Sequence, residues 1–234
     1  MESLHGIINA VNTVLWSYVL IIVLVGIGIW FTLRTKLVQV RMLPEMLRLL
    51  TEGIGSKTTD KQISTFQAFC VSTASRVGVG NIAGVAIAIV TGGPGAVFWM
   101  WVIAFIGCAT GFVESTLAQI YKLPRGNGTF HGGPAYYIQN ALKKPGIAKL
   151  FALLISVTFG LIYNSVQANT IALSVETAFG LDHMTTALVL CVLTGLVIFS
   201  GMTRIAKVAE LLVPVIAGIY LLAAFIVFIT CIDQ

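Results

Sequence analysis

Ser72-Thr73-Ala74-Ser75-Arg76-Val77-Gly78-Val79-Gly80-Asn81-Ile82-Ala83-Gly84 stands in the middle of an apolar run that extends from Phe66 to Thr91. Such a run is long enough to cross a hydrocarbon core of roughly 30 Å. Arg76 lies ten residues beyond Phe66, roughly 15 Å at helical rise and so near the midplane of a bilayer. An intact helix would expose no backbone groups there and would gain nothing from polar side chains in hydrocarbon. A break at Gly78 to Gly80 changes both: it frees carbonyls at the C-terminal end of one half-helix and amides at the N-terminus of the next. Carbonyl ends attract a cation such as Na+, and amide ends attract a carboxylate. The stretch therefore predicts an interrupted helix over 66–91 with a site for a cation and an anionic group together.

The rest of the chain has the composition that such a helix requires. Its 234 residues are 57% hydrophobic and only 10% charged, with a mean hydropathy of +0.95, against about 25% charged residues in soluble domains. Further apolar runs cover Val14 to Leu33, Ala96 to Tyr121, Leu150 to about Phe179, Thr186 to Met202 and Leu211 to Ile232. With 66–91 they make six spans, an all-α polytopic membrane helix bundle forming a single transmembrane domain over 1–234. Nothing basic precedes the first run, so it reads as a spanning helix, not a leader.

The net charge of +5, from 14 Lys plus Arg against 9 Asp plus Glu, is a matter of topology. Arg34, Lys36, Arg41, Arg48, Lys57 and Lys61 follow the first span. Lys122, Arg125, Lys143, Lys144 and Lys149 follow the third, and Arg204 and Lys207 the fifth. These are alternate connections, so thirteen of the 14 basic residues lie on one side. The positive-inside rule makes that side cytoplasmic and puts the N-terminus outside. The excess is thus an address and no sign of nucleic acid. The remaining basic residue is Arg76.

Arg41, Glu45, Arg48 and Glu52 share a helical face opposite Leu43, Met46, Leu47 and Leu50, which predicts an interfacial helix over 37–52 lying at the inner surface. Gly132-Gly133-Pro134 before Ala135-Tyr136-Tyr137 predicts a second short one, with proline at its first position. Cys70, Cys108, Cys191 and Cys231 sit in apolar runs and read as small buried hydrophobes. His5, His131 and His183 lie outside the runs without metal-ligand spacing.

Other readings of the same residues compete. Gly78, Gly80 and Ala83 spell a dinucleotide fingerprint, but the strand, the soluble sheet and the acidic residue about 20 positions on are missing. Gly80 and Gly84 form a small-xxx-small face that can pack helices closely. Asn81 and Arg76 beside the glycines favour a site, because polar and ionisable groups inside a membrane are costly. Glu114 reads as the only intramembrane acid, at a depth where long side chains can meet, so an Arg76–Glu114 pair on the inner pathway is expected. The alternative is that each snorkels independently. In the fourth span Asn164 and Gln167 share one face and Ser165 and Asn169 the next. These amides are either interhelical glue, worth about 0.6 kcal/mol on average, or ligands, with the ligand reading favoured for Asn164 and Gln167. Pro214 and Gly218 read as a kink in the sixth span.

The chain resembles the alanine or glycine:cation symporter family, sodium-coupled amino-acid carriers of the LeuT-type fold. The resemblance rests on Ser75 to Ala86, on Gly92-Gly93-Pro94-Gly95-Ala96-Val97-Phe98-Trp99-Met100-Trp101, on Glu114-Ser115, on Gly132 to Tyr137 and on Gln167-Ala168-Asn169. It implies an extra N-terminal helix (14–33) followed by the first five-helix inverted repeat (66–232). Implied substrate-binding residues are Ser75, Gly78, Gly80, Asn81, Asn164 and Gln167, with the amides near Gly78 and Gly80 receiving the amino-acid carboxylate. Asn81 and the carbonyls of Ala74 and Val77 are the implied cation ligands; the gating pair, Arg76 with Glu114, rests on depth and cost and not on the resemblance. Family members often carry threonine where this chain has Arg76, so no hydroxyl role transfers there. The implied partners are a small neutral amino acid, alanine or glycine, Na+ as coupling ion and the lipid bilayer, with no cofactor and no metal beyond Na+. The implied location is the cell's inner (plasma) membrane.

Against that pattern the sequence ends after one repeat, at Gln234. The expectation is a partial carrier that does not transport alone. An intramembrane enzyme would need a nucleophile with a base or a metal site, which the spans lack. A non-transporting scaffold or subunit would leave Arg76, Asn81 and Gln167 as unexplained costs.

Overall fold

A computed structural model describes residues 2–54, 63–126 and 129–230. Helix α1 (Glu2–Val14) runs through a π-helical turn, Leu15–Val19, into α2 (Leu20–Arg34). Two short helices follow, α3 (Val38–Arg41) and α4 (Leu43–Gly53). Then come α5 (Thr65–Arg76), a π-helical turn Gly80–Gly84, α6 (Val85–Gly92) and α7 (Gly95–Ile120). A small hairpin, β1 (Leu123–Gly126) with β2 (Thr129–His131), leads to α8 (Pro134–Asn140). Helix α9 (Pro145–Val157) continues through a third π-helical turn, Thr158–Tyr163, into α10 (Asn164–Phe179); α11 (His183–Ile198) and α12 (Met202–Thr230) complete the described chain.

Among the described residues four helices are long and apolar enough to cross a membrane: His5–Arg34, Gly95–Ile120, Pro145–Phe179 and Met202–Thr230. The pair Thr65–Arg76 and Gly80–Gly92, bent by 60° at its break, makes a fifth when counted as one broken span. The sixth expected span, α11, has 16 residues, about 24 Å of helix, and is shorter than the other spans. It ends early because Gly201 turns the chain in a left-handed conformation at φ 87°, a geometry that costs other residues more. The chain is an all-α membrane bundle apart from the hairpin, which the expected organisation lacks. Its sequence cue is Asn127-Gly128 between the two strands.

Local chemistry explains where the elements start and stop. The first helix begins well before Val14 because Ile7, Ile8, Val11 and Val14 keep a helical spacing through Asn9 and Asn12. The segment expected as one helix over 37–52 is two, parted at Met42. Pro44 has no N–H to give to Val40, four residues back, and its ring crowds that carbonyl. Asp182 caps α11 by accepting the Thr185 N–H at 3.1 Å. Helix α12 starts at Met202 and continues through Pro214.

The residues cluster into two compact units, one built around α2, α3, α7 and α8, the other around α5, α10, α11 and α12. In the first, Gly28 of α2 is buried against Ile106 of α7. Beside it Thr32 Oγ1 donates to Gly28 O at 2.7 Å, and Gln39 Nε2 donates to Thr32 Oγ1 at 3.2 Å and to Phe105 O at 3.4 Å. In the second, α12 packs along α5 and α11, with Cys70, Ala206 and Ala209 buried. The large apolar side chains point mostly outward, as they should where the surrounding medium is hydrocarbon. For that reason the cysteines are not uniformly buried: Cys70 is, but Cys108 and Cys191 are exposed. In a membrane bundle an apolar neighbourhood in sequence does not imply burial in protein. Cys231 lies outside the described residues.

Candidate functional site: the broken helix and its glutamine

Helix α5 is pinned at its base. Ser64 Oγ accepts the Gln67 N–H at 3.1 Å, and Gln67 Oε1 accepts the Ser64 N–H at 3.1 Å, a reciprocal capping box. The helix then runs to Arg76 and stops, with Val77 extended at φ −93°, ψ 118°.

Beyond Val77 the backbone donors leave the helical ladder. In an unbroken helix the Gly78 N–H would go to Ala74 O; here it donates to Asn81 Oδ1 at 3.1 Å. The Val79 N–H would go to Ser75 O, and instead donates to Gln167 Oε1 of α10 at 3.0 Å. Asn81 N donates to Gly78 O at 3.0 Å and so passes over Val77 O. The carbonyls of Ala74, Ser75 and Val77 thus lose the donors that helix continuation would supply. Next to them stands Asn81, whose carbonyl oxygen keeps a second lone pair. Oxygen dipoles of this kind suit a hard cation.

The glycines divide in role. A Cβ on Gly78 would lie 2.7 Å from Gln167 Nε2, so glycine is what lets α10 approach the break. Gly80 and Gly84 meet nothing within 4 Å among the described residues, so close helix packing at these two positions has no partner there. Ser75 turns its hydroxyl back onto Ser72 O at 2.8 Å. Asn164 Nδ2 likewise donates back along its own helix to Gly160 O at 3.5 Å. Of the amide pair on α10, it is Gln167 that reaches the break.

Arg76 is exposed and donates from Nη1 to Ser72 Oγ at 2.9 Å. Glu114 belongs to the other unit, where its charge acts on Tyr137 of α8. Burial pushes the Tyr137 phenol above its ordinary value, and the Glu114 carboxylate adds to the rise.

Glu114 is not the only acid inside a span. Glu210 lies within Met202–Thr230, because α12 starts nine residues before Leu211. Its Oε2 accepts from Gln67 Nε2 at 2.8 Å and ties α12 to the capping box of α5. Glu176 lies near the end of α10, 3.5 Å from His183 Nδ1. His5 and His183 likewise fall inside helices, in α1 and α11. The signal for Glu210 is present in sequence: Arg204, Lys207 and Glu210 recur every three residues, a helical spacing that continues the apolar run backward. Glu210→Leu should strand the Gln67 amide and lower stability by about 1–2 kcal/mol, while Glu210→Gln, which keeps an acceptor, should recover most of it. Thermal unfolding of the two variants decides this; equal melting temperatures would contradict it.

A sequence model of the sodium:alanine symporter family matches residues 1–234. The chain belongs to the sodium:alanine symporter family. Within this family it is 53% identical over 233 residues to the probable sodium/glutamine symporter GlnT of Bacillus subtilis (strain 168), covering 100% of the chain and 48% of that protein. It is 50% identical over 231 residues to the amino-acid carrier protein AlsT of the same organism, covering 98% of the chain and 49% of AlsT. It is 39% identical over 227 residues to the sodium/alanine symporter AgcS of Methanococcus maripaludis, covering 95% and 50%. The sodium:alanine symporter family and these relatives are transporters, not enzymes. The chain spans about half the length of the curated relatives it matches.

Proposed function

We propose that this chain forms the substrate- and ion-binding half of a symporter that couples Na+ to a small neutral amino acid, alanine or glycine, by alternating access. One observation carries the reading. The amides of Gly78 and Val79 are held by two side-chain oxygens, Asn81 Oδ1 and Gln167 Oε1. A carboxylate presents two oxygens of the same kind with more charge, so an amino acid can take their place donor for donor. The released carbonyls of Ala74 and Val77, with Asn81, then offer oxygens to Na+. Ser75, Gly80 and Asn164 complete the proposed substrate pocket after turning toward the ligand.

The family's description supports Na+ as coupling ion without a further cofactor. The names of GlnT and AgcS carry glutamine and alanine respectively, so uptake of alanine, glycine and glutamine should be compared. In vesicles that carry this chain joined to a second repeat, alanine or glycine should accumulate under an imposed Na+ gradient, and replacing Na+ by choline should abolish it. Uptake indifferent to Na+ would remove the proposal.

The reading includes the LeuT-type arrangement of an extra helix and one inverted repeat, in the inner membrane with the N-terminus outside. It also includes dependence on a second repeat, since the relatives are about twice as long. Na+-driven alanine uptake by these 234 residues alone would overturn that part. Arg76 and Glu114 are proposed as the inner gate. Replacing them singly and together should give non-additive losses of transport; simple additivity would end the pairing.

A further inference from the structure

The corner between α11 and α12 has features that substrate transport does not use. At 16 residues α11 spans about 24 Å, roughly 6 Å short of a typical hydrocarbon core. In the turn that follows it Phe199 is 93% exposed. Beside it runs a groove of ≈ 420 Å³, lined on its apolar side by Cys191, Val192, Gly195, Leu196 and Phe199. The remaining lining residues are Ser200 and Arg204. Arg204 Nη1 donates to Ser200 Oγ at 2.9 Å, which uses one of five guanidinium N–H donors.

Charge at this end of the groove is one-sided. Among the described residues no carboxylate pairs with Arg204 or with Lys207, three positions on along the same helix face. The nearest acid along α12, Glu210, already accepts from Gln67. An arginine at the membrane face without a carboxylate is open to another anion. The order of the groove, apolar along α11 and then hydroxyl and guanidinium, matches the order of an acyl chain and a phosphate.

We propose that this groove binds an anionic glycerophospholipid of the cytoplasmic leaflet, its phosphate on Arg204 and one acyl chain beside Phe199. The inference goes beyond the transport reading and stands without it. A free anion would have no use for the apolar wall, and an apolar partner helix would have none for the guanidinium of Arg204 at its end. Basic residues at the cytoplasmic face attract anionic headgroups, and Lys207 adds to that pull.

The test is thermal unfolding of the purified full chain in detergent, with added phosphatidylglycerol, phosphatidylcholine of the same acyl chains, or inorganic phosphate. Phosphatidylglycerol alone should raise the melting temperature. Arg204→Gln should weaken its apparent affinity about fivefold, and Arg204→Lys should keep most of it. Gly195→Leu, which fills the groove next to Phe199 Cε2, 3.6 Å from the position of a Cβ, should abolish the shift. An equal shift with phosphatidylcholine overturns the headgroup assignment, and an equal shift with phosphate alone overturns the lipid. A phosphatidylglycerol shift unchanged in both Arg204→Gln and Gly195→Leu overturns the site. Should Arg204→Gln fail to fold, Gly195→Leu and the three additives on the unmodified chain still decide.

Discussion

Gln167→Leu, in the chain joined to a second repeat, is expected to reduce Na+-coupled amino-acid uptake on the order of 100-fold. Leucine has nearly the same size but offers no acceptor, so the Val79 N–H, now held at 3.0 Å by Gln167 Oε1, loses its partner. An unsatisfied donor away from water costs about 1–3 kcal/mol, and the upper part of that range is two decades in an equilibrium. In the proposed mechanism the loss falls on the empty carrier, whose broken helix is then held by Asn81 Oδ1 on the Gly78 amide alone. Gln167→Glu separates this role from a purely structural one. It keeps an acceptor of the same reach, so melting should stay close to that of the unmodified protein, yet its charge competes with a substrate carboxylate and should raise KM for alanine. Uptake by Gln167→Leu at the unmodified rate would show that the contact has no part in transport.

The second large effect is on stability and lies in the other unit. Gly28 of α2 faces Ile106 of α7 so closely that an added Cβ would overlap the Ile106 Cγ2 methyl, with Ile106 O a further 3.5 Å contact. Helices in lipid associate through such close approach, because the solvent is as apolar as the side chains. Gly28→Leu should force α2 away from α7 and break the seam through Thr32, Gln39 and Phe105 O. Overpacking of this kind costs about 1–3 kcal/mol. The melting temperature should drop accordingly, and Ile106→Ala should restore part of it in a Gly28→Ala background. A Gly28→Leu protein that melts with the unmodified one would contradict the described approach of α2 and α7.

These two residues also show what can be read from the chain and what cannot. The break is legible because Gly78, Gly80, Asn81 and Arg76 are costly letters in a hydrocarbon run, and the structure does part the helix between Arg76 and Gly80. Gln167 is legible as a polar residue in an apolar helix, but its partner is not, since nothing in sequence says that a glutamine 88 positions away meets the Val79 amide. Gly28 is silent: a glycine among Ile, Val and Leu reads as filler until α7 is placed against it. Glu210 is hidden by the choice of where an apolar run begins. Hydropathy marks the hydrocarbon-facing part of a helix, whereas hydrogen bonding carries α12 back to Met202 and brings the acid inside. Boundaries drawn by apolar character therefore miss the polar turns at span ends, and these are where Gln67 and Glu210 meet.

The wide turn Thr158–Tyr163 immediately precedes Asn164 and Gln167. A π-helical turn behaves as one surplus residue in an α-helix, and each residue of an α-helix advances the azimuth by about 100°. The compass bearing of Gln167 relative to α9 is thus dialled by a local excess of chain. Excising a single residue from that turn would swing the glutamine away from Val79 without changing one atom of either residue. A shortened turn should therefore behave like the loss of the Gln167 oxygen, which makes chain length an adjustable parameter of this site alongside side-chain identity.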